Sequence, residues 1–160
     1  MKFTHLIEIN VPGNPLITPL SREHLWRGLV LRAERPTLFL IGLDSCEILE
    51  RSEAGFSRKQ QFGPLIILDQ VHLLQMTQVH YHVPPQNEIP LSDLTMTIEE
   101  PQPGALFVRF EYDDHAGEVE AGEEKFYNDF KRSAYLEADI DTIRVIRQLA
   151  DDGQLDAPLQ

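Results

Sequence analysis

The chain has one cysteine, Cys46, one tryptophan, and only 14 lysines and arginines in 160 residues, against 26 aspartates and glutamates. A lone thiol excludes an intrachain disulfide framework and a multi-cysteine metal site. A net charge of −12 argues against nucleic-acid binding, which needs a basic footprint to displace counterions, and against attraction to an anionic membrane surface. No apolar run approaches the roughly 18 residues of a membrane span. The opening stretch, Met1 to Asn10, is too interrupted for a secretory apolar core. A cytoplasmic protein without membrane insertion is the expectation. There is no G-x-G-x-x-G or Walker loop, and neither Ser45 nor Ser57 sits in a G-x-S-x-G elbow, so nucleotide binding and serine hydrolysis are unsupported. What remains is 42% hydrophobic residues in a length suited to one core, and a single domain over residues 1–160 is expected.

The hydrophobic pattern has three parts. Phe3 to Val11 alternates as a strand. After Pro19, Ser21 is a suitable N-cap and Glu23 sits in the first turn, and Leu25, Trp26, Leu29, Val30 and Ala33 recur at helical spacing, with Arg22, Arg27 and Arg32 off that stripe. Pro36 ends this helix and opens a second short one through Phe39 and Leu40. From Cys46 to Tyr112 the period is two, broken by Gly55, Gly63-Pro64, Pro84-Pro85 and Pro101-Gln102-Pro103-Gly104, which predicts meandering antiparallel strands. The acidic stretch Asp113 to Glu124 reads as a solvated loop. A long helix then runs from about Glu124 to Asp151 and stops at Gly153, with a frayed tail beyond.

Strand, two short helices, six further strands and one long C-terminal helix is an α+β order that buries both apolar faces by wrapping a sheet around the last helix. Pro19-Leu20-Ser21-Arg22-Glu23-His24-Leu25-Trp26-Arg27-Gly28-Leu29 and Gly42-Leu43-Asp44-Ser45-Cys46 resemble the AtaL-like branch of the START-like (SRPBCC, birch-pollen-allergen-like) superfamily. Thr97-Ile98-Glu99-Glu100 and Ala138-Asp139-Ile140-Asp141-Thr142-Ile143-Arg144 are similar to the same branch. The resemblance spans Phe3 to Leu149. It implies a helix-grip fold of about seven strands with a cavity between sheet and helix for a hydrophobic or aromatic small molecule. The wider superfamily includes lipid carriers, hormone receptors, allergens, polyketide cyclases and oxygenase subunits, so the chemistry stays open.

Candidate residues follow from the register. Arg58 lies between Phe56 and Gln60, and Asp69 between Ile67 and Val71, so both are expected to point inward, either orienting a ligand or forming a structural ion pair. Tyr81, Met96, Phe110 and Phe130 are inward apolar candidates, as core or as cavity wall. On the helix stripe Tyr127, Phe130, Ala134, Ala138, Thr142, Val145, the small Ala134 and Ala138 are expected to leave room opposite the sheet. His80 and His82 form an H-x-H, with His72 one strand away. They alternate with Val79, Tyr81 and Val83, so they are expected to face solvent, and neither metal nor cofactor is predicted. Cys46 has no basic neighbour in sequence and reads as a small buried hydrophobe. Three functions compete: a carrier of a hydrophobic small molecule; a polyketide cyclase or aromatase with Tyr81 as proton donor, Arg58 as anion stabiliser and Asp69 as base; and an interaction module. A second helix stripe, Leu136, Ile140, Ile143 and Ala150, needs cover from the first helices or from a homodimer partner.

Overall fold

The computed structural model describes residues 1–117, 119 and 121–157. Seven strands, β1 (Lys2–Glu8), β2 (Ser45–Ser52), β3 (Gly55–Phe62), β4 (Leu65–Leu74), β5 (Gln78–Val83), β6 (Ser92–Gln102) and β7 (Ala105–Asp113), form one antiparallel sheet in the order β1-β7-β6-β5-β4-β3-β2. Strands β2 to β7 follow one another as neighbours. The connection from β1 to β2 instead crosses the full width of the sheet and carries helix α1 (Arg22–Glu34). Helix α2 (Glu123–Asp151) closes the fold.

Alternation sets the two sheet faces. Phe56, Val71, Tyr81 and Leu94 stand opposite one another across β3 to β6, and His5, Phe110, Met96 and Val79 across β1, β7, β6 and β5. These rows share the enclosed face, where Val71, Val79, Met96, Val108 and Phe110 are at most 1% exposed. Pro103-Gly104 makes the β6–β7 turn, with Gly104 in the left-handed region at φ +84° that a side chain would strain.

Local chemistry also places the helix ends. The Ser21 hydroxyl accepts the His24 N–H at 3.0 Å, and α1 stops at Arg35 before Pro36. Past α2, Gly153 at φ +76° donates to the Ala150 carbonyl while Gln154 donates to Leu149, a paired left-handed cap. Two boundaries differ from expectation. The second short helix is a single 3₁₀ turn, Pro36–Leu38. Just after Gly153 the chain is held at Leu155, which is 1% exposed and whose carbonyl accepts from Arg27 at 2.9 Å. Glu118 and Glu120 of the acidic stretch, and positions 158–160 of the tail, lie outside the described residues.

The two helices touch through Gly28. A Cβ there would sit 2.6 and 2.8 Å from Ile146 Cγ2 and Cγ1, both branch atoms with no freedom to swing away. Helix propensity alone would make Gly28→Ala stabilising by about 1 kcal/mol. Overpacking costs of roughly 1–3 kcal/mol outweigh that gain, so a net loss in urea unfolding is expected. In an Ile146→Ala background the same change should become neutral or stabilising. Stabilisation of the parent by Gly28→Ala would contradict the close approach.

Candidate functional site

Polar side chains gather on the enclosed face in two groups. The first is built by β3 and β4. Arg58 donates from Nε to Asp69 Oδ1 at 2.8 Å and from Nη2 to Oδ2 at 2.5 Å, and Gln60 donates to the same Oδ2 at 3.0 Å. The third donor nitrogen, Nη1, reaches the Ala33 carbonyl at 2.8 Å, capping the last turn of α1. Arg58 and Asp69 are each 3% exposed. Burial works against the guanidinium charge, and the hydrogen bonds and charge of Asp69 outweigh it, so the Arg58 pKa is raised. Burial also pushes the neighbouring Cys46 thiol up, away from the thiolate a nucleophile needs.

The second group joins β1, β7 and α2. His5 Nε2 lies 2.7 Å from Asp139 Oδ2, and the Tyr112 hydroxyl donates to both carboxylate oxygens at 2.7 and 2.8 Å. Tyr112 stacks on Tyr135 at 4.0 Å, and His5 on Phe110 at 5.2 Å. Asp139 is fully buried. Burial raises its pKa despite the opposing hydrogen bonds from Tyr112 and His5 and the charge of Arg32. Burial and the Asp139 charge together raise the Tyr112 phenol.

Arg32 and Tyr81 stand between the groups. The Arg32 and Arg58 guanidinium carbons lie 5.2 and 5.0 Å from the Tyr81 ring centroid, and Arg32 Nε donates to Thr142 Oγ1 at 3.3 Å. Two buried atoms have no hydrogen-bond partner among the described residues: Tyr81 Oη and His5 Nδ1. With Nε2–H donated to Asp139, His5 Nδ1 carries a free lone pair. Tyr81 offers one donor and one acceptor. Unpaired buried polar atoms are rare in native proteins and are met by an ordered water, an ion or a bound group, or serve a catalytic role.

The structure brings Arg58, Asp69, Tyr81, Met96 and Phe110 together on the enclosed face, as the register predicts. Met96 and Phe110 are 0% exposed and pack as core. Asp69 already accepts three hydrogen bonds, two of them from Arg58, so its carboxylate is held as the partner of a buried ion pair. The helix residues require correction. Phe130 is 65% exposed, and Ala134 and Ala138 are exposed beside it, so none of the three lines a space between α2 and the sheet. The buried side of α2 is instead Asn128, Asp139, Thr142, Ile143 and Ile146. These are packed inward because Asp139 and Thr142 find partners there, whereas the aromatic and alanine stripe finds none. Of the second stripe, Ile143 is covered within the chain while Leu136 and Ile140 stay exposed. Surface concavities lie elsewhere: one of 660 Å³ is lined in part by Asn10, Pro12, Leu20 and Leu106, and one of 450 Å³ by Trp26, Val30, Leu73 and Met76. His5, Arg32, Tyr112 and Asp139 escaped sequence reasoning. Only the alternation of Phe3, His5 and Ile7 carried any signal of an inward histidine.

Seven antiparallel strands closed by one long C-terminal helix, with a helix inserted after the first strand, define a helix-grip protein. Residues 7–153 match the family model described as AtaL, acetylaranotin biosynthesis cluster protein L, and the chain belongs to that family. Solved structures share the fold at low identity. Ara h 8.0201 is 17% identical with a TM-score of 0.56, covering 92% of this chain and 98% of that one. The Zhui aromatase/cyclase from Streptomyces sp. R1128 is 11% identical at 0.60, covering 94% and 93%. The di-domain ARO/CYC StfQ from the steffimycin biosynthetic pathway is 7% identical at 0.68, covering 96% of this chain and 52% of that one. No curated protein sequence matches the chain. Among the described residues no helix is long and apolar enough to cross a membrane.

Proposed function

We propose that the protein binds a hydrophobic or aromatic small molecule bearing polar substituents, held on the enclosed face of the sheet. The observation that carries this reading is the pair of buried side-chain atoms without a partner among the described residues, Tyr81 Oη and His5 Nδ1. Arg58 and Asp69 serve it indirectly: their ion pair fixes the end of α1 and the face of the Tyr81 ring. The test is native mass spectrometry of protein purified from its own source, followed by titration with a hydrophobic reporter dye. A co-purifying small molecule is expected. Tyr81→Phe should weaken dye or ligand binding about three- to tenfold, the loss of one neutral hydrogen bond, without lowering the melting temperature. A ligand-free protein that binds no dye would overturn the reading.

A second reading, a cyclase-type enzyme, is favoured by the His5–Asp139 contact. A carboxylate on one imidazole nitrogen with the other left free is the arrangement of an oriented general base. In this reading His5 replaces Asp69 as base, and Tyr81 remains the proton donor. The likeness to aromatase/cyclases supports the fold for such chemistry and leaves the reaction to be measured. Product formation from a polyketide-like substrate, abolished in His5→Gln with binding retained, separates the enzyme from the carrier.

A further inference from the structure

We propose that His80, His82, Asp93 and His115 form a binding site for one zinc ion on the outer face of the sheet, away from the enclosed site. His80 and His82 are two apart on β5, so both project from the outer face, where β6 sets Asp93 directly opposite His82. Asp93 Oδ1 lies 2.7 Å from His80 Nε2 and 2.8 Å from His82 Nδ1. On its other side, Oδ2 lies 2.5 Å from His115 Nε2. His115 comes from beyond the end of β7, turned back by a left-handed backbone at φ +60° and held by its N–H to Asp113 Oδ1 at 2.8 Å. Three imidazoles, two from β5 and one from beyond β7, therefore converge on one carboxylate of β6.

Three nitrogens and an oxygen are a tetrahedral zinc donor set. The ligand atoms of His80, His82 and Asp93 all lie within 4.8 Å of one another. Neighbouring donors on a tetrahedral zinc stand about 3.3 Å apart, so His80, His82 and Asp93 need only small side-chain shifts, while His115, bonded to the other carboxylate oxygen, lies outside that close group and swings in to complete the set. Outer partners are in place as well: His72 stacks on His80 at 5.6 Å, and Asp113 faces His115 Nδ1 at 3.9 Å. The histidines are 31–41% exposed and the core does not depend on them, so the ion loads from solvent onto a folded protein. The register reading of an outward H-x-H holds. What it lacked was Asp93 and His115, and with them the expectation of no metal is reversed.

The test is isothermal titration of EDTA-stripped protein with zinc chloride. One ion per chain in the micromolar range is expected, with stripping itself shifting the melting temperature by no more than a few degrees. His82→Ala and Asp93→Asn should each weaken binding about 100-fold, whereas His24→Ala, a histidine outside the cluster, leaves it unchanged. Circular dichroism verifies that the variants fold, and His80→Ala and His115→Ala give independent readings should one of them not. Cobalt(II) in place of zinc should show the visible bands of a tetrahedral site. Absence of binding below millimolar zinc, or affinity unchanged in these variants, overturns the assignment and leaves a carboxylate-centred histidine hydrogen-bond cluster.

Discussion

Arg58→Met is expected to lower the free energy of unfolding by about 3–5 kcal/mol, the cost of leaving a buried charge without its partner. Asp69 would keep only the Gln60 amide at 3.0 Å, and the Ala33 carbonyl at the end of α1 would lose its 2.8 Å donor. Because the pair is enclosed rather than wet, the fraction of a kcal/mol typical of surface ion pairs does not apply here. The double variant Arg58→Met with Asp69→Leu removes both charges, and most of the loss should return, since apolar replacements of buried pairs are often neutral or stabilising. Urea unfolding of parent, single and double variants as a mutant cycle reads the coupling directly. Single variants costing less than about 1 kcal/mol would show that water reaches the pair.

Asp139→Ala should cost roughly 2–5 kcal/mol, since it strands the Tyr112 hydroxyl and His5 Nε2–H in the core, at about 1–3 kcal/mol for each unsatisfied group. Asp139→Asn keeps the shape and isolates the charge. Burial raises the Asp139 pKa in the folded protein, so folding favours its protonated form. That contribution is fully present below the unfolded carboxyl value of about 4 and is lost as the pH rises through the raised folded value. The melting temperature of the parent minus that of Asp139→Asn should therefore fall as the pH is raised from about 4. A difference that grows with pH would mean that the hydrogen bonds from Tyr112 and His5 dominate over burial.

Much of the fold was legible because it depends on local periodicity. Phe56, Arg58 and Gln60 alternate on β3, and Ile67, Asp69 and Val71 on β4. This alternation alone puts Arg58 and Asp69 on the enclosed face, where the two stand directly opposite one another. Ser21, Gly153 and Pro103-Gly104 marked helix ends and a hairpin by their own hydrogen-bonding and φ preferences. The resemblance to the AtaL-like branch then supplied a sheet wrapped around the last helix, while the long crossing from β1 to β2 came only with the strand order.

The candidate site was only half legible. Sequence alone determined the strand faces, the helix limits and the family, because each rests on short-range preference or on a continuous stretch of residues. It pointed the wrong way on the first part of α2: Tyr127, Phe130, Ala134 and Ala138 of the expected stripe are exposed and only its Thr142 is buried, while Asn128, Asp139 and Ile146 turn inward from outside it. A polar residue enters a core only when distant partners satisfy it. Those partners, His5 and Tyr112 for Asp139 and Arg32 for Thr142, stand on β1, β7 and α1. Asp93 and His115 became visible beside His80 and His82 for the same reason. They are 13 and 35 residues beyond His80 in the chain, and only the pairing of β5, β6 and β7 makes them neighbours. Tertiary structure alone decided which polar groups among the described residues are paired, which are left without a partner, and which histidines gather around Asp93 on the outer face.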